Sequence, residues 1–229
     1  MGRKATSMTG ESMDNDRGPI LNVTGELVAL GPLRRDLLPH YQRWINDLGT
    51  MRTLELPPLP MTSEKEQDWY DRQSKTEDDV PFTIYEKQTL RPIGNTGLHG
   101  VDHRNRSATF GILIGEPECR GKGYGTESTR LMLDYAFTAL GLHNVMLTVF
   151  EFNPAGIRAY EKAGFKEIGR RRECRMMGGK LWDEIYMDCL SSEFERPVTP
   201  GKDWGFSAWL PPGGTAQIEI GTDAAGAAR

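Results

Sequence analysis

Three alternating glycines in the stretch RGKGYG, Arg120–Gly125, are spaced to hold a phosphate group. An apolar run, ATFGILIG, precedes this stretch, and TESTRLMLDYAFTAL, whose apolar residues recur at helical spacing, follows it. Glycine lets backbone N–H groups approach an anion closely, and a helix N-terminus adds unpaired N–H donors and a favourable dipole. The pattern therefore predicts a strand, an anion-binding loop and a helix in succession.

The glycine spacing distinguishes several kinds of turn. A plain strand-to-helix turn would use glycine only to relieve backbone strain, and this interpretation stays open on the loop alone. A dinucleotide-binding turn has the pattern G-x-G-x-x-G, whereas here the third glycine comes one residue early; a P-loop would need G-K-[ST], which does not occur at this loop. A cradle for a diphosphate fits best. Its expected contacts are Arg120, Gly121, Lys122, Gly123, Tyr124, Gly125 and Thr126.

A second motif, NPAGIRAYEKAGF at Asn153–Phe165, lies one predicted helix and one predicted strand further along the chain. Pro154 is favoured in the first turn of a helix and Gly164 at a helix end, so the motif predicts a short helix. As an ordinary surface helix it would turn Ile157 and Tyr160 inward. On the residues of this motif alone, the choice between an ordinary surface helix and part of a functional site stays open.

The elements that must position these motifs are mostly strands. Apolar and alternating runs predict strands at residues 81–87, 91–102, 107–115 and 144–151. A turn at Gly178-Gly179 predicts a hairpin after the second motif. Two helices are predicted before the strands, at residues 33–47, with a kink at Pro39, and at residues 63–75.

Composition limits the function classes. The chain of 229 residues carries a formal net charge of −4 and shows no plainly basic face, so no nucleic-acid partner is expected. It has no run of 18 apolar residues, and its first twenty residues lack the apolar stretch of a signal peptide, so no membrane association is predicted. Three cysteines without metal-ligand spacing predict a reduced, cytoplasmic protein.

Three segments are predicted along the chain. Residues 1–24 form a polar leader that we expect to be disordered, residues 25–194 form one domain, and residues 195–229 form a tail rich in Pro, Gly and Ala. Within the tail, DWGFSAW at residues 203–209 contains two tryptophans and a phenylalanine. We expect this aromatic segment to dock on the domain or on a second subunit, which would allow a homodimer.

The two motifs together resemble the GNAT superfamily of acetyl-CoA-dependent N-acyltransferases. The likeness rests on R-x-x-G-x-G at 120–125 and N-x-x-(small)-x-x-x-Y-x-K-x-G-F at 153–165, and it spans about Leu27–Leu190. The stretch LDYAFTALGLHNVMLTV resembles spermidine N-acetyltransferases and ribosomal-protein N-terminal acetyltransferases. The resemblance implies a single α/β domain (mixed α+β) with a mostly antiparallel mixed sheet flanked by helices. It also implies that two parallel strands, Ser107–Ile114 and Asn144–Phe150, splay apart to admit the acyl donor.

This resemblance implies acetyl-CoA as the co-substrate and assigns residues to bind it. Backbone groups of Ile112, Leu113 and Ile114 would pair with the pantetheine arm as an added strand would, and the glycine loop would bind the diphosphate. The remaining expected contacts are Asn153, Ala155, Gly156 and Arg158. No metal site is expected, because a glycine and a turn separate His99 from His103.

Acetyl transfer needs a proton donor for the leaving sulfur and a proton acceptor for the amine. The resemblance assigns the general acid to Tyr160. Many relatives carry a glutamate on the strand before the glycine loop, where this chain has Thr109, so Glu151 and Glu116 are the candidate bases. The acceptor stays open between a small cationic amine, such as a polyamine or an aminoglycoside, and a protein N-terminus. The alternative function is a non-catalytic CoA-binding or regulatory module.

Overall fold

A twisted sheet positions all of these motifs. The computed structural model describes residues 18–57 and 59–196, and within them eight strands form one sheet in the order β1-β2-β3-β4-β5-β6-β8-β7. The strands are β1 Val23–Thr24, β2 Val28–Pro32, β3 Val80–Glu86, β4 Pro92–Asp102, β5 Ser107–Ile114, β6 Asn144–Phe150, β7 Lys166–Met177 and β8 Lys180–Leu190. Every neighbouring pair is antiparallel except β5 and β6, which are parallel.

Helices cover both faces of the sheet. The α-helices are α1 Leu38–Asn46, α2 Leu48–Met51, α3 Ser63–Gln73, α4 Tyr124–Thr138 and α5 Pro154–Ala163. Phe82 of β3 packs edge-on against Tyr135 of α4, with ring centroids 5.5 Å apart, whereas Thr83 hydrogen-bonds Tyr41 of α1 at 2.6 Å. Because successive strand residues point to opposite faces, α1 and α4 lie on opposite sides of the sheet. The predicted mixed sheet flanked by helices is confirmed.

The predicted elements need one correction. Residues 33–47 form a 3-10 turn at Arg35–Leu37 followed by α1, and Pro39 lies in the first turn of α1, where its missing N–H interrupts no helical hydrogen bond. The predicted kink at Pro39 is therefore wrong. The hairpin prediction is confirmed, since Gly178 and Gly179 join β7 to β8 with φ angles of 60° and 76°.

Two predictions fall outside the described residues. Residues 1–17 and 197–229 carry most of the predicted leader and tail, including the aromatic segment 203–209. No helix within the described part of the chain is long and apolar enough to cross a membrane.

Candidate active site

The parallel pair β5 and β6 separates partway along its length. Three residue pairs join the strands, Ser107 with Asn144, Ala108 with Val145 and Thr109 with Met146. Beyond them β5 stays paired with β4 as far as Ile114, and β6 stays paired with β8 as far as Phe150. Each strand is thus held on its outer side only, and the predicted splay is confirmed.

A cavity of about 480 Å³ opens along this split. Such a volume is typical of a small-molecule site. The residues that line it come from β5, the glycine loop, α5 and the segment around α2. They include Ile112, Leu113, Ile114, Arg120, Gly121, Gly123, Gly125, Thr126, Asn153, Ala155, Gly156, Arg158 and Tyr160, all of them sequence-predicted site residues.

The glycine loop has the conformation of an anion cradle. Gly121 and Gly123 have φ angles of 74° and 87°, which glycine adopts without strain. Gly123 is the N-cap of α4 and provides no side-chain cap, so the first-turn N–H groups are left for another acceptor. A Cβ added at Gly125 would meet only the Ile114 side chain, at 3.9 Å, so the protein itself leaves space there. These features fit the diphosphate of a CoA molecule.

Of the longer side chains in the glycine loop, only that of Arg120 belongs to a residue that lines the cavity. The Arg120 guanidinium donates hydrogen bonds to the Ile114 carbonyl at 3.1–3.2 Å and to the Thr50 hydroxyl at 2.6 Å. It therefore joins the end of β5 to α2 at the cavity wall. Lys122 and Tyr124 do not line the cavity, and the Tyr124 hydroxyl donates to Glu86 at 2.7 Å.

The N-terminus of α5 forms another part of the cavity wall. Asn153 is its N-cap, and the side-chain oxygen accepts a hydrogen bond from the Gly156 N–H at 3.0 Å. The next helical turn carries Arg158 into the lining. Local sequence thus explains the geometry, since Asn at the N-cap and Pro at the first turn start the helix beside the split.

Tyr160 lines the same cavity from α5. Its ring packs edge-on against Phe110, with centroids 6.3 Å apart, and against Phe165 at 6.1 Å. Burial raises the pKa of Tyr160 to about 12. The hydroxyl therefore stays protonated at neutral pH and is able to donate a hydrogen bond into the cavity.

The structure does not bring either candidate base to the cavity. Glu116 is buried, and its carboxylate pairs with Arg43 and accepts a hydrogen bond from the Trp44 indole at 2.9 Å, which ties it to α1. Glu151 is exposed and lies 3.9 Å from Arg170. Among the described residues that line the cavity, none is Asp or Glu.

Sequence reasoning missed the segment that closes the cavity on one side. Gly49, Thr50, Arg52, Thr53 and Leu54, from α2 and the loop after it, are part of the lining. A local signal for this segment did exist. Asp47 caps α2 by accepting a hydrogen bond from the Thr50 N–H at 2.8 Å, and Asp is a favoured N-cap residue.

The splayed parallel strands, the uncapped helix behind a glycine loop and the tyrosine in the cavity together define an acyltransferase that takes its acyl group from a CoA thioester. The sequence model of the acetyltransferase (GNAT) domain family matches residues 28–166, and the chain belongs to this family. It is an acetyl-CoA-dependent N-acetyltransferase. No group of three or more His, Cys, Asp or Glu side chains suited to a metal ion occurs in the part of the chain that the structure describes.

Several relatives resemble the chain over most of their length. The spermidine N(1)-acetyltransferase of Escherichia coli K12 is 29% identical over 76% of this chain and 92% of that enzyme. The structure of the Vibrio cholerae spermidine N-acetyltransferase in complex with CoA and spermine is 28% identical, with a TM-score of 0.68, over 74% of this chain and 98% of that one. Human alpha/beta-tubulin-N-acetyltransferase 9 is 28% identical over 63% of this chain and 74% of that protein.

Proposed function

We propose that this enzyme acetylates a small cationic amine of the polyamine type. The observation that carries the proposal is the extent of the likeness to spermidine acetyltransferases, which covers 92% of the Escherichia coli enzyme and 98% of the Vibrio cholerae chain. The tubulin acetyltransferase is matched over a smaller share, 74%. A protein N-terminus is therefore the second candidate acceptor. The free thiols of Cys119, Cys174 and Cys189 support a reducing, cytoplasmic location.

The proposed donor is acetyl-CoA, bound in the split. The glycine loop and the N-terminus of α4 would hold its diphosphate, and the free edge of Ile112–Ile114 would pair with its pantetheine arm. Arg158 would add a positive charge near the phosphates. Asn153 would contact the pantetheine arm, alongside Ala155 and Gly156.

Tyr160 is proposed to assist the departing sulfur. Its pKa of about 12 exceeds the roughly 8.5 of a thiol, so complete proton transfer from tyrosine to thiolate would cost about 5 kcal/mol. A hydrogen bond from the hydroxyl to the developing thiolate avoids that cost and still stabilises the transition state. The role of Tyr160 is thus to donate a hydrogen bond to the sulfur, with no net loss of the tyrosine proton.

The experiment that tests the proposed function is a panel of acceptors. Release of free CoA is measured with the full chain, acetyl-CoA and, in turn, spermidine, spermine, an aminoglycoside and peptides with free N-termini. We expect the highest kcat/KM with a polyamine. A higher kcat/KM with a peptide would show that the acceptor is a protein N-terminus. Binding of acetyl-CoA without release of CoA for any acceptor would support a non-catalytic module.

A further inference from the structure

The reaction needs a proton acceptor that the cavity wall does not supply. A primary alkylamine has a pKa near 10.4, so freeing its lone pair at pH 7 costs about 4–5 kcal/mol. Within the described residues the lining has no carboxylate, Glu116 is tied to α1, and Glu151 lies outside. The first group of lining residues, from the segment around α2, ends at Leu54, and the next residue in the chain is Glu55.

Glu55 is held at the point where the strands part. The Thr148 hydroxyl donates a hydrogen bond to the Glu55 carboxylate at 3.0 Å. Thr148 lies two residues beyond Met146, the last residue of β6 that pairs with β5, and shares its face of the sheet. The Glu55 carboxylate therefore lies over the beginning of the split.

Glu55 and Tyr160 approach the split from opposite faces of the sheet. Phe110, which packs against Tyr160, directly follows Thr109, so the two side chains point to opposite faces. Thr109 pairs with Met146 in parallel register and so shares its face, the face of Thr148 and Glu55. This arrangement suits direct attack, with the amine entering on one side and the sulfur leaving on the other.

A second carboxyl group supports Glu55. Glu184 of β8 is only 7% exposed, interacts with Glu55, and accepts a hydrogen bond from the Tyr186 hydroxyl at 2.8 Å. Two carboxylates that lie close together repel each other, which favours the uptake of a proton. The interaction with Glu184 raises the pKa of Glu55 above its usual range, which brings it closer to the pKa of an amine.

The charged groups around the pair are few. Arg175 of β7 donates a hydrogen bond to the Leu54 carbonyl at 3.1 Å and lies near enough to Glu55 to oppose the rise in its pKa. From β7, Arg171 lies opposite Glu184 in the strand register. Cys174 of β7 is close to Tyr186. The hydrogen bond from Arg175 holds the loop against the sheet, and Glu55 is exposed to an incoming acceptor.

We infer that Glu55, supported by Glu184, is the proton acceptor of the transfer reaction. This inference rests on the proposed function. The ammonium gives one proton to the carboxylate pair, and the freed lone pair forms the N–C bond to the thioester carbon. The C–S bond breaks with its electron pair going to sulfur, which takes the second proton of the nitrogen. The proton on the pair then passes to solvent, so the products are the amide, CoA thiol and one proton.

The test compares Glu55→Gln with Glu77→Gln, which removes a charge from an exposed loop position outside the cavity. The acceptors are spermidine and hydroxylamine, a weak base that is already neutral at pH 7. We expect Glu55→Gln to lower kcat with spermidine about 10²-fold or more and with hydroxylamine only a few-fold. Its thermal shift with acetyl-CoA and all values for Glu77→Gln should match the wild type.

Glu184→Gln supplies a second readout that a merely structural role would not move. Removal of the carboxyl group that raises the pKa of Glu55 lowers that pKa, so the acid-side fall of kcat/KM should move to lower pH. Three results would overturn the inference about Glu55 and leave the proposed function standing. They are an unchanged pH profile in Glu184→Gln, a wild-type kcat in Glu55→Gln, and equal losses of kcat with spermidine and hydroxylamine. No CoA release by the wild type with either acceptor would overturn the proposed function together with it.

Discussion

Thr109 of β5 and Met146 of β6 are the last residues at which these two parallel strands pair. Beyond them, backbone groups of Ile112–Ile114 that face β6 have no strand partner in the described part of the chain. An extended ligand can add to such an edge through main-chain hydrogen bonds. The glycine loop lies at the far end of this edge and Tyr160 lies beside it, so one separation of strands organises the whole donor site.

The donor site can be tested at the N-cap of α4. Gly123→Asp places a carboxylate where the diphosphate is proposed to bind, and we expect the variant to lose the rise in Tm that acetyl-CoA produces in the wild type. The matched control is Gly141→Asp, because Gly141 also has a positive φ angle, 65°, yet lies outside the cavity. A Cβ at Gly141 would meet no atom within 4 Å, and one at Gly123 would meet only the Leu27 side chain, at 3.4 Å. Both variants should lose similar basal stability. A retained shift in Gly123→Asp would show that the diphosphate binds elsewhere.

The carboxylate of Glu127 ties the turn between β1 and β2 to α4. It accepts hydrogen bonds from the backbone N–H groups of Glu26, Leu27 and Val28 at 2.7–2.8 Å. Glu127→Gln turns one acceptor oxygen into a donor, so we expect the free energy of unfolding in urea to fall by about 1–3 kcal/mol. Glu161→Gln on the exposed face of α5 is the control. Equal unfolding curves for the two variants would show that the turn does not depend on Glu127.

Removal of residues 197–229 tests the prediction made for the tail. The donor-site residues all precede this segment, so the rise in Tm with acetyl-CoA should survive its deletion. If the aromatic residues of 203–209 dock as the sequence predicts, basal Tm or the oligomer size in light scattering should fall. Unchanged Tm and size would contradict docking, and a lost acetyl-CoA shift would contradict the assignment of the donor site.

The strands that frame the site were predictable from local sequence. The predicted strands 107–115 and 144–151 agree with β5 and β6 to within a residue, since both are mostly apolar runs bounded by turn residues. The positions of Gly121 and Gly123 in the loop follow from their spacing in the same way. The local sequence pattern was thus sufficient to predict those parts of the site whose geometry depends on a single strand, loop or helix.

The acceptor side was not predictable for a physical reason. Glu116 was a reasonable base by sequence position, but Arg43 and Trp44, distant in the chain, hold its carboxylate against α1. Conversely, Glu55 carries no motif, and its place is set by the hydrogen bond from Thr148 of β6 and by its interaction with Glu184 of β8. Such long-range contacts leave no periodic signal in a single sequence.

In the proposed reaction, Tyr160 acts on the leaving sulfur while an amine attacks from the other side of the split. The most direct measurement is kcat for CoA release with spermidine, from pH 6 to pH 10, for the wild type and Tyr160→Phe. The wild-type rate should rise with pH, because a larger fraction of the amine is then neutral. Since burial holds the pKa of Tyr160 at about 12, the rate should show no alkaline fall in this range. Tyr160→Phe keeps the ring packed against Phe110 and should lower kcat by about 10²-fold or more at every pH, with an unchanged acetyl-CoA shift. Equal kcat values for the two proteins would contradict the account.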